Sequence, residues 1–346
     1  VLSAVTLVAR PQFSVASVTC RAHHTRWSEP DVHDDRRLVL VRRGRFRRSA
    51  DGVAADLDPT VGYLGAPGQE ERFAHPAGGD LCTSVTLAPS LWAELGDILP
   101  GGLRDGPGGG LGGRSGGGRS GGGRSGGGPG GGTTVYVDAR VDLAHRRLLA
   151  AARGGDVDYA LAEGLLRLVA AAGRAAAPPE TRPAAAGQVV AAAREAILAD
   201  HPEAGALLSL AALLEVSPYR LSRAFSREMG VSLTRYRNRV RVGRVMERLE
   251  GGECDGPAGY GAHDGCDGPG PHGGCGERRG HGSPGLAALA ADLGFADQAH
   301  LTRTVREHLG HTPAVLRRLL TQAPAVRRGS APAPAVRRGW SRAVTG

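Results

Sequence analysis

The sequence predicts an α+β protein in which a β-rich N-terminal domain with a helical hairpin precedes an all-α domain. Three observations carry this expectation. Between Phe13 and Ala88, short runs of Val, Leu, Thr, Tyr and Phe are punctuated by Gly, Pro and Asp, as in antiparallel strands joined by tight turns. From Ala206 to Leu249 the apolar spacing and capping residues are those of a helix-turn-helix followed by a long helix. From Gly285 to Leu320 the same unit occurs again.

The first domain is expected over residues 1–100. FSVASVTC, RRLVLVRRGRFRR, TVGYLGAP and LCTSVTLAP read as its strands, and a small barrel is their expected arrangement. Val1 to Ala9 is apolar but lacks a preceding basic region, and Arg10-Pro11 follows at once, so no export signal is expected. His23, His24, His33 and His75 fall in this domain with Glu70, Glu71 and Cys82. A metal-dependent pocket would set His and carboxylate on facing strands around an open coordination position. A paired H-x-H with a following Glu is not evident, so these histidines are expected at the surface or lining a pocket, with no metal ligand, catalytic residue or cofactor assigned. Trp27, Tyr63 and Phe73 are candidate walls of an effector pocket and equally candidate core residues.

Residues 101–132 cannot form a packed element. GGRSGGGRSGGGRSGGG repeats every five residues with Arg114, Arg119 and Arg124 in register, and its glycines lose too much entropy on ordering, so a flexible loop is expected. Residues 133–174 hold a helical hairpin broken at Gly154-Gly155. Tyr159, Leu161, Leu165, Leu166 and Val169 give its second helix an apolar face too broad for a lone surface helix. That face must pack on something, either the sheet or a second copy. Ala- and Pro-rich residues 175–186 read as an interdomain linker.

The all-α domain is expected over 187–320. Leu207, Leu210, Ala211 and Leu214 share a helix face; Glu215-Val216 make a turn; Ser217 caps the next helix and Pro218 opens it. Leu221 and Phe225 then point inward at i, i+4, which leaves Tyr219, Arg220, Ser222, Arg223, Ser226 and Arg227 outside. Gly230 closes this helix and Ser232 caps the long one. In the second copy Leu286, Leu289, Ala290 and Leu293 repeat the first face. Asp297 is the cap, and Leu301, Arg303, Val305 and Gly310 match Leu221, Arg223, Phe225 and Gly230 after a one-residue offset; Thr312-Pro313 caps the following helix.

Tandem units of this kind, with LSRAF in one and HLTR then GHTP in the other, resemble the AraC/XylS family of transcription regulators over residues 187–320. The resemblance implies double-stranded DNA as partner, a cupin-like N-terminal domain that binds a small-molecule effector, dimerisation through the hairpin, and RNA polymerase as a further partner. It places Tyr219, Ser222 and Arg223, with Gln298, His300 and Arg303, at base-facing positions. Arg220, Arg227, Thr302 and Arg306 complete the expected DNA-binding set, with Arg227 and Arg237 at phosphates.

Charge agrees with a polyanionic partner, since Pro218 to Glu250 carries nine Arg against three Glu. The whole chain has a net charge of +9, but all 43 basic residues are Arg and 55 residues are Gly, as GC-rich coding would produce; placement therefore matters more than count. Five cysteines without a disulfide-like framework, and no apolar run long enough to span a membrane, point to a reduced cytoplasm.

Two stretches depart from the family pattern. Residues 251–284 form a long insert in which His263, His272 and His281 recur every nine residues with Cys266 and Cys275, which leaves open a metal-binding or a merely repetitive origin. Glu215 replaces a turn glycine, and Val305 and Leu316 stand where aromatics are usual, so weaker binding by the second unit is expected. Residues 321–346 repeat APAVRRG and read as a disordered basic tail. The expectation is thus a DNA-binding regulator and not an enzyme; the alternative is a cupin-like metalloenzyme or metal sensor with an accessory DNA-binding unit.

Overall fold

The computed structural model describes residues 2–98, 133–154, 159–177, 184–250 and 285–321. The Gly-rich loop, the His/Cys insert and the basic tail expected above lie outside them. The described residues divide into two compact units, one running to Val240 and the other starting at Arg241.

In the first unit the strands are β1 (Leu2–Ala9), β2 (Phe13–Cys20), β3 (Asp31–Val32), β4 (Arg36–Arg43), β5 (Phe46–Ala50), β6 (Val53–Leu57), β7 (Val61–Gly65), β8 (Glu70–Ala74) and β9 (Asp80–Leu87). Helix α1 (Pro89–Ile98), strand β10 (Thr133–Tyr136), helices α2 (Ala139–Gly154) and α3 (Ala160–Ala175) and the short strand β11 (Ala176–Ala177) follow. These strands form two antiparallel sheets, a larger one ordered β1-β2-β9-β4-β7-β10-β11 and a smaller one ordered β3-β8-β5-β6. Thr133–Tyr136 therefore begins not the hairpin but a strand, which pairs with β7; its β-branched and aromatic residues suit a pleated, half-buried surface.

Strand β4 shows how the layers are held. Leu38 and Leu40 join a core with Val15, Val85 and Leu87 of the sheet and Trp92, Leu148, Leu161 and Leu165 of the helices. Val39 and Val41 join a second core on the other face, with Phe46, Leu57 and Tyr63. Burial on both faces is why this strand reads as an unbroken apolar run rather than an alternation. Each such side chain removed from water contributes about 1.5–3 kcal/mol.

The hairpin thus packs its apolar face on the large sheet, the first of the two options the residues left open. Leu161, Leu165, Leu168 and Val169 of α3 are buried there, whereas Leu166 and Tyr159 are exposed. Among the buried polar groups of this layer, His145 of α2 lies with Nε2 2.8 Å from Thr83 Oγ1 of β9. Burial drives its pKa down to about 4, against the partial opposition of Asp142.

Helix α4 (Ala184–Leu198), a 3₁₀ turn (Pro202–Gly205), α5 (Leu207–Leu213), α6 (Pro218–Met229) and the start of α7 (Leu233–Leu249) belong to the same compact unit as the sheets. The expected boundary at 175–186 therefore does not divide the units; the division falls inside α7. The reason is a set of polar contacts that the apolar pattern does not reveal. Arg194 of α4 pairs with Asp58, and both are buried. Tyr236 Oη lies 3.0 Å from Thr60 Oγ1. Arg239 Nε donates to the Val137 carbonyl at 2.6 Å, and its Nη2 lies 3.1 Å from Asp142 Oδ2. The second unit contains the rest of α7, α8 (Leu286–Asp292), α9 (Gln298–Leu309) and α10 (Pro313–Thr321).

Leu165→Ala should cost about 2–5 kcal/mol in denaturant unfolding, the cost of a buried leucine cavity. Leu166→Ala should stay within about 0.5 kcal/mol. Equal losses at the two positions would contradict the orientation of α3. Because the folded pKa of His145 lies below its unfolded value of 6.5, the unfolded chain binds the extra proton, and stability should fall as pH drops from 6.5 towards 4. His145→Asn should flatten that part of the stability–pH profile.

Candidate nucleic-acid interface

The first helix-turn-helix is built on Leu210, Ala211, Leu221, Phe225 and Tyr236, all buried in one cluster. The Phe225 and Tyr236 rings meet edge to face at 5.1 Å. Ser217 Oγ accepts from the Arg220 amide at 3.2 Å, and Gly230 ends the helix at φ 69°. Ser232 Oγ likewise accepts from Arg235 N at 3.2 Å. Leu207 departs from expectation: it opens α5 but is exposed, while Leu214 is half-buried. Tyr219, Arg220, Arg223 and Arg227 are exposed along α6, and Ser222 is half-buried between them. One turn apart, Arg223 Nη1 donates to Tyr219 Oη at 2.9 Å, and its guanidinium sits 5.4 Å from the ring centroid. The pair orders a side chain that would otherwise lose rotamer freedom on binding.

The second unit repeats this construction. Leu289, Ala290, Leu301, Val305, Leu309 and Leu316 are buried. Asp297 Oδ1 accepts from His300 N at 2.6 Å, Thr312 Oγ1 from Val315 N at 3.3 Å, and Gly310 closes α9 at φ 73°. Gln298, Arg303 and Arg306 are exposed; His300 and Thr302 are half-buried. His300 Nδ1 accepts from the Ala296 amide at 3.2 Å, which leaves the proton of the neutral ring on Nε2. The offset between the copies is located in the turn, where Ala296 is an added residue before the cap.

Glu215 and Gly294 occupy the same left-handed turn position, at φ 54° and 67°. A Cβ at Gly294 would meet Arg241 Nη2 at 3.1 Å, and Arg241 also lies over the Phe295 ring at 5.5 Å. Glycine is thus needed there twice over, whereas Glu215 is exposed and bears only the conformational cost.

The arginine-rich face is smaller than its sequence count. Arg239 is buried in the contacts described above, and Arg241 is taken up by Phe295. Arg237, expected at a phosphate, is half-buried, and desolvation lowers its pKa. The exposed arginines between Pro218 and Glu250 are Arg220, Arg223, Arg227, Arg235 and Arg248, the last 3.8 Å from Asp292.

In the β-rich domain Trp27 is exposed with Arg47 5.1 Å from its ring, and Tyr63 is buried beneath Arg48 at 4.1 Å. Phe73 packs on Phe46 at 6.1 Å. The space between the sheets holds an internal ion pair, since Arg48 Nε donates to Glu71 Oε1 at 3.0 Å and Nη2 to Gln69 Oε1 at 2.7 Å. A cleft opens instead at the edge of the small sheet, lined by Arg45, Phe46, Leu57, Asp58, Arg194 and Leu198. Of the histidines, His23 is exposed, and His24 and His33 are half-buried. Glu70 is exposed, while His75, Glu71 and Cys82 are buried, which excludes the surface alternative for His75. Among the described residues no helix is long and apolar enough to cross a membrane.

No family model matches the chain, and no curated protein matches it. Among solved structures it is similar to ToxT from Vibrio cholerae O395, with 11% identity over 90% of this chain and 99% of that one and a TM-score of 0.32. It is also similar to the C-terminal domain of AraT, a response regulator from Geobacillus stearothermophilus, with 20% identity over 41% of this chain and 93% of that one and a TM-score of 0.29. A third similarity, to the DMSP lyase DddQ from Ruegeria pomeroyi, has 9% identity over 25% of this chain and a TM-score of 0.24. In that case the matched region spans about half, 47%, of the other protein.

Glu215→Gly should stabilise the chain by about 1 kcal/mol, the relief of one left-handed non-glycine residue. Thermal unfolding would show it, and an unchanged or lowered Tm would mean that the Glu215 side chain has contacts that offset its backbone strain.

Proposed function

We propose that the chain is a sequence-specific DNA-binding regulator of transcription, of the AraC/XylS type, in which the β-rich domain senses a small-molecule effector. One observation carries this reading: two separately capped helix-turn-helices present Tyr219, Ser222 and Arg223 on α6 and Gln298, His300 and Arg303 on α9 at or near the surface. A plain helical bundle has no need of two such helices ending on left-handed glycines and bearing polar, basic outer faces. An Arg can bond guanine O6 and N7 in a bidentate fork, while Arg220, Arg227 and Arg306 suit phosphates. On this reading the chain has no catalytic role and acts in the cytoplasm as a homodimer, with RNA polymerase as a further partner.

A binding-site selection with the full chain tests the proposal. Arg223→Ala should cost about 1–3 kcal/mol and relax preference at one base position, and Arg303→Ala should do the same at a different position. Arg227→Ala should weaken all sequences alike and lower the salt dependence of binding by about one phosphate contact. Uniform weakening by Arg223→Ala would remove its role as a base reader, and failure of the wild-type chain to enrich any sequence would remove the proposal itself.

A further inference from the structure

We propose that Cys20, His75 and Asp80 bind a single divalent transition-metal ion, of which zinc is the best chemical match, with a fourth position left for water or an incoming ligand. The three side chains are buried, and one ligand atom from each lies within 4.8 Å of the others. His75 Nε2 stands 3.2 Å from Asp80 Oδ2, close to the about 3.3 Å that separates nitrogen and oxygen ligands on a tetrahedral zinc. A thiolate, an imidazole and a carboxylate together suit zinc better than the hard, oxygen-seeking magnesium or calcium.

The backbone places these groups. Cys20 and Asp80 are direct cross-strand partners at the ends of β2 and β9. His75 follows β8 of the smaller sheet, and the turn from His75 to Asp80 brings it back to the larger one. That turn passes so close to Cys20 that a Cβ on Gly79 would fall 2.4 Å from the Cys20 carbonyl oxygen. An ion here would join the two sheets at the ends of β2, β8 and β9.

The surrounding hydrogen bonds fix which atoms are available. His24 Nδ1 is 2.8 Å from the Arg26 carbonyl, an acceptor, so it carries the proton, and His24 Nε2 is the acceptor of that ring. His75 Nδ1, at 3.1 Å from His24 Nε2, must then donate to it. The lone pair of a neutral His75 is thereby on Nε2, beside the carboxylate and the sulfur. Asp80 is oriented in the same way: Cys82 Sγ donates to Oδ1 at 3.4 Å, which leaves the buried Oδ2 facing His75 Nε2. Cys82 is turned to Oδ1 and is not among the three converging ligand atoms, so it serves as a donor to Asp80 rather than as a ligand. The sulfur, imidazole nitrogen and carboxylate oxygen that converge in this buried place are held together either by a metal ion or by protons on the thiol or on His75. Oriented partners of this kind are what hold metal-ligating imidazoles and carboxylates in place. The site does not depend on the DNA-reading proposal and would stand without it.

Cobalt(II) titration of the metal-stripped full chain tests the proposal, with Cys254, Cys266 and Cys275 replaced by Ser so that the repeated His/Cys segment contributes no thiolate. One equivalent should bind with a thiolate-to-cobalt charge-transfer band, and one equivalent of zinc should displace it. Cys20→Ser should abolish the band and lower affinity at least tenfold, Cys82→Ser should keep the band, and His24→Ala should lower affinity about tenfold without removing it. Circular dichroism identifies any variant that fails to fold, and the titration of the parent chain does not depend on the variants. No cobalt uptake by the parent would mean that protons on the thiol or on His75 fill the place, and a band that survives Cys20→Ser or is lost with Cys82→Ser would mean that the ligand set is wrong; either result overturns the proposal.

Discussion

The large sheet must be covered on both faces, and the rest of the first unit follows from that requirement. Helices α1–α3 cover one face and the small sheet covers the other. Hydrophobicity alone cannot set strand register in such a sheet, because moving β4 by one residue would exchange Leu38 and Leu40 for Val39 and Val41. The polar residues remove the ambiguity. A one-residue slip of β9 would carry Thr83 away from His145 and leave a buried imidazole without its partner, which costs far more than repacking a valine. Buried polar pairs here specify the arrangement that apolar burial makes stable.

The same logic applies where the first helix-turn-helix meets the β-rich domain. Arg194–Asp58 and Arg239–Asp142 are buried charge pairs, and desolvation consumes most of their attraction. Loss of one partner, however, leaves a charge stranded at a cost of about 3–5 kcal/mol, so these pairs permit one docking and penalise others. Tyr236 belongs to both sides. Its ring packs on Phe225 of α6, and its hydroxyl reaches Thr60 in the turn that also holds Asp58. An effector that shifted the Asp58–Thr60 turn would therefore act on α6 through one aromatic ring. The coupling would equal whatever difference in affinity that shift produced.

Local signals were legible in the sequence, and partnerships between distant residues were not. Ser217, Gly230, Asp297 and Gly310 could be assigned as caps because capping depends only on a residue and its next few neighbours. The left-handed turn at Glu215 was legible by comparison with Gly294 in the second copy. Strands β2, β4, β5, β7 and β9 stood out for their β-branched runs, whereas β3 is only two residues long and β6 and β8 are broken by charge. Arg239 was misread. On a basic helix it has the same local pattern as a phosphate-binding arginine, and only the fold brings Val137 and Asp142 to it. The cluster around His75 was not legible for the same reason, since its neighbours Cys20 and Asp80 are brought together by strand pairing rather than by sequence spacing.

The two helix-turn-helices differ less in their interiors than in their sequences. Where the first has Phe225 on α6 and Val216 in the turn, the second has Val305 on α9 and Phe295 in the turn. The aromatic ring has moved across the core, and a swap that conserves volume costs little. Phe295 is buried, meets His300 edge to face at 5.5 Å, and lies beneath Arg241. A larger residue in the turn accompanies the added Ala296, and His300 then holds that longer turn through the Ala296 amide. The aromatic that Val305 lacks is thus supplied by Phe295 to the second unit. Its core is filled from the turn, and the residue that secures the turn, His300, is also one of the proposed base readers.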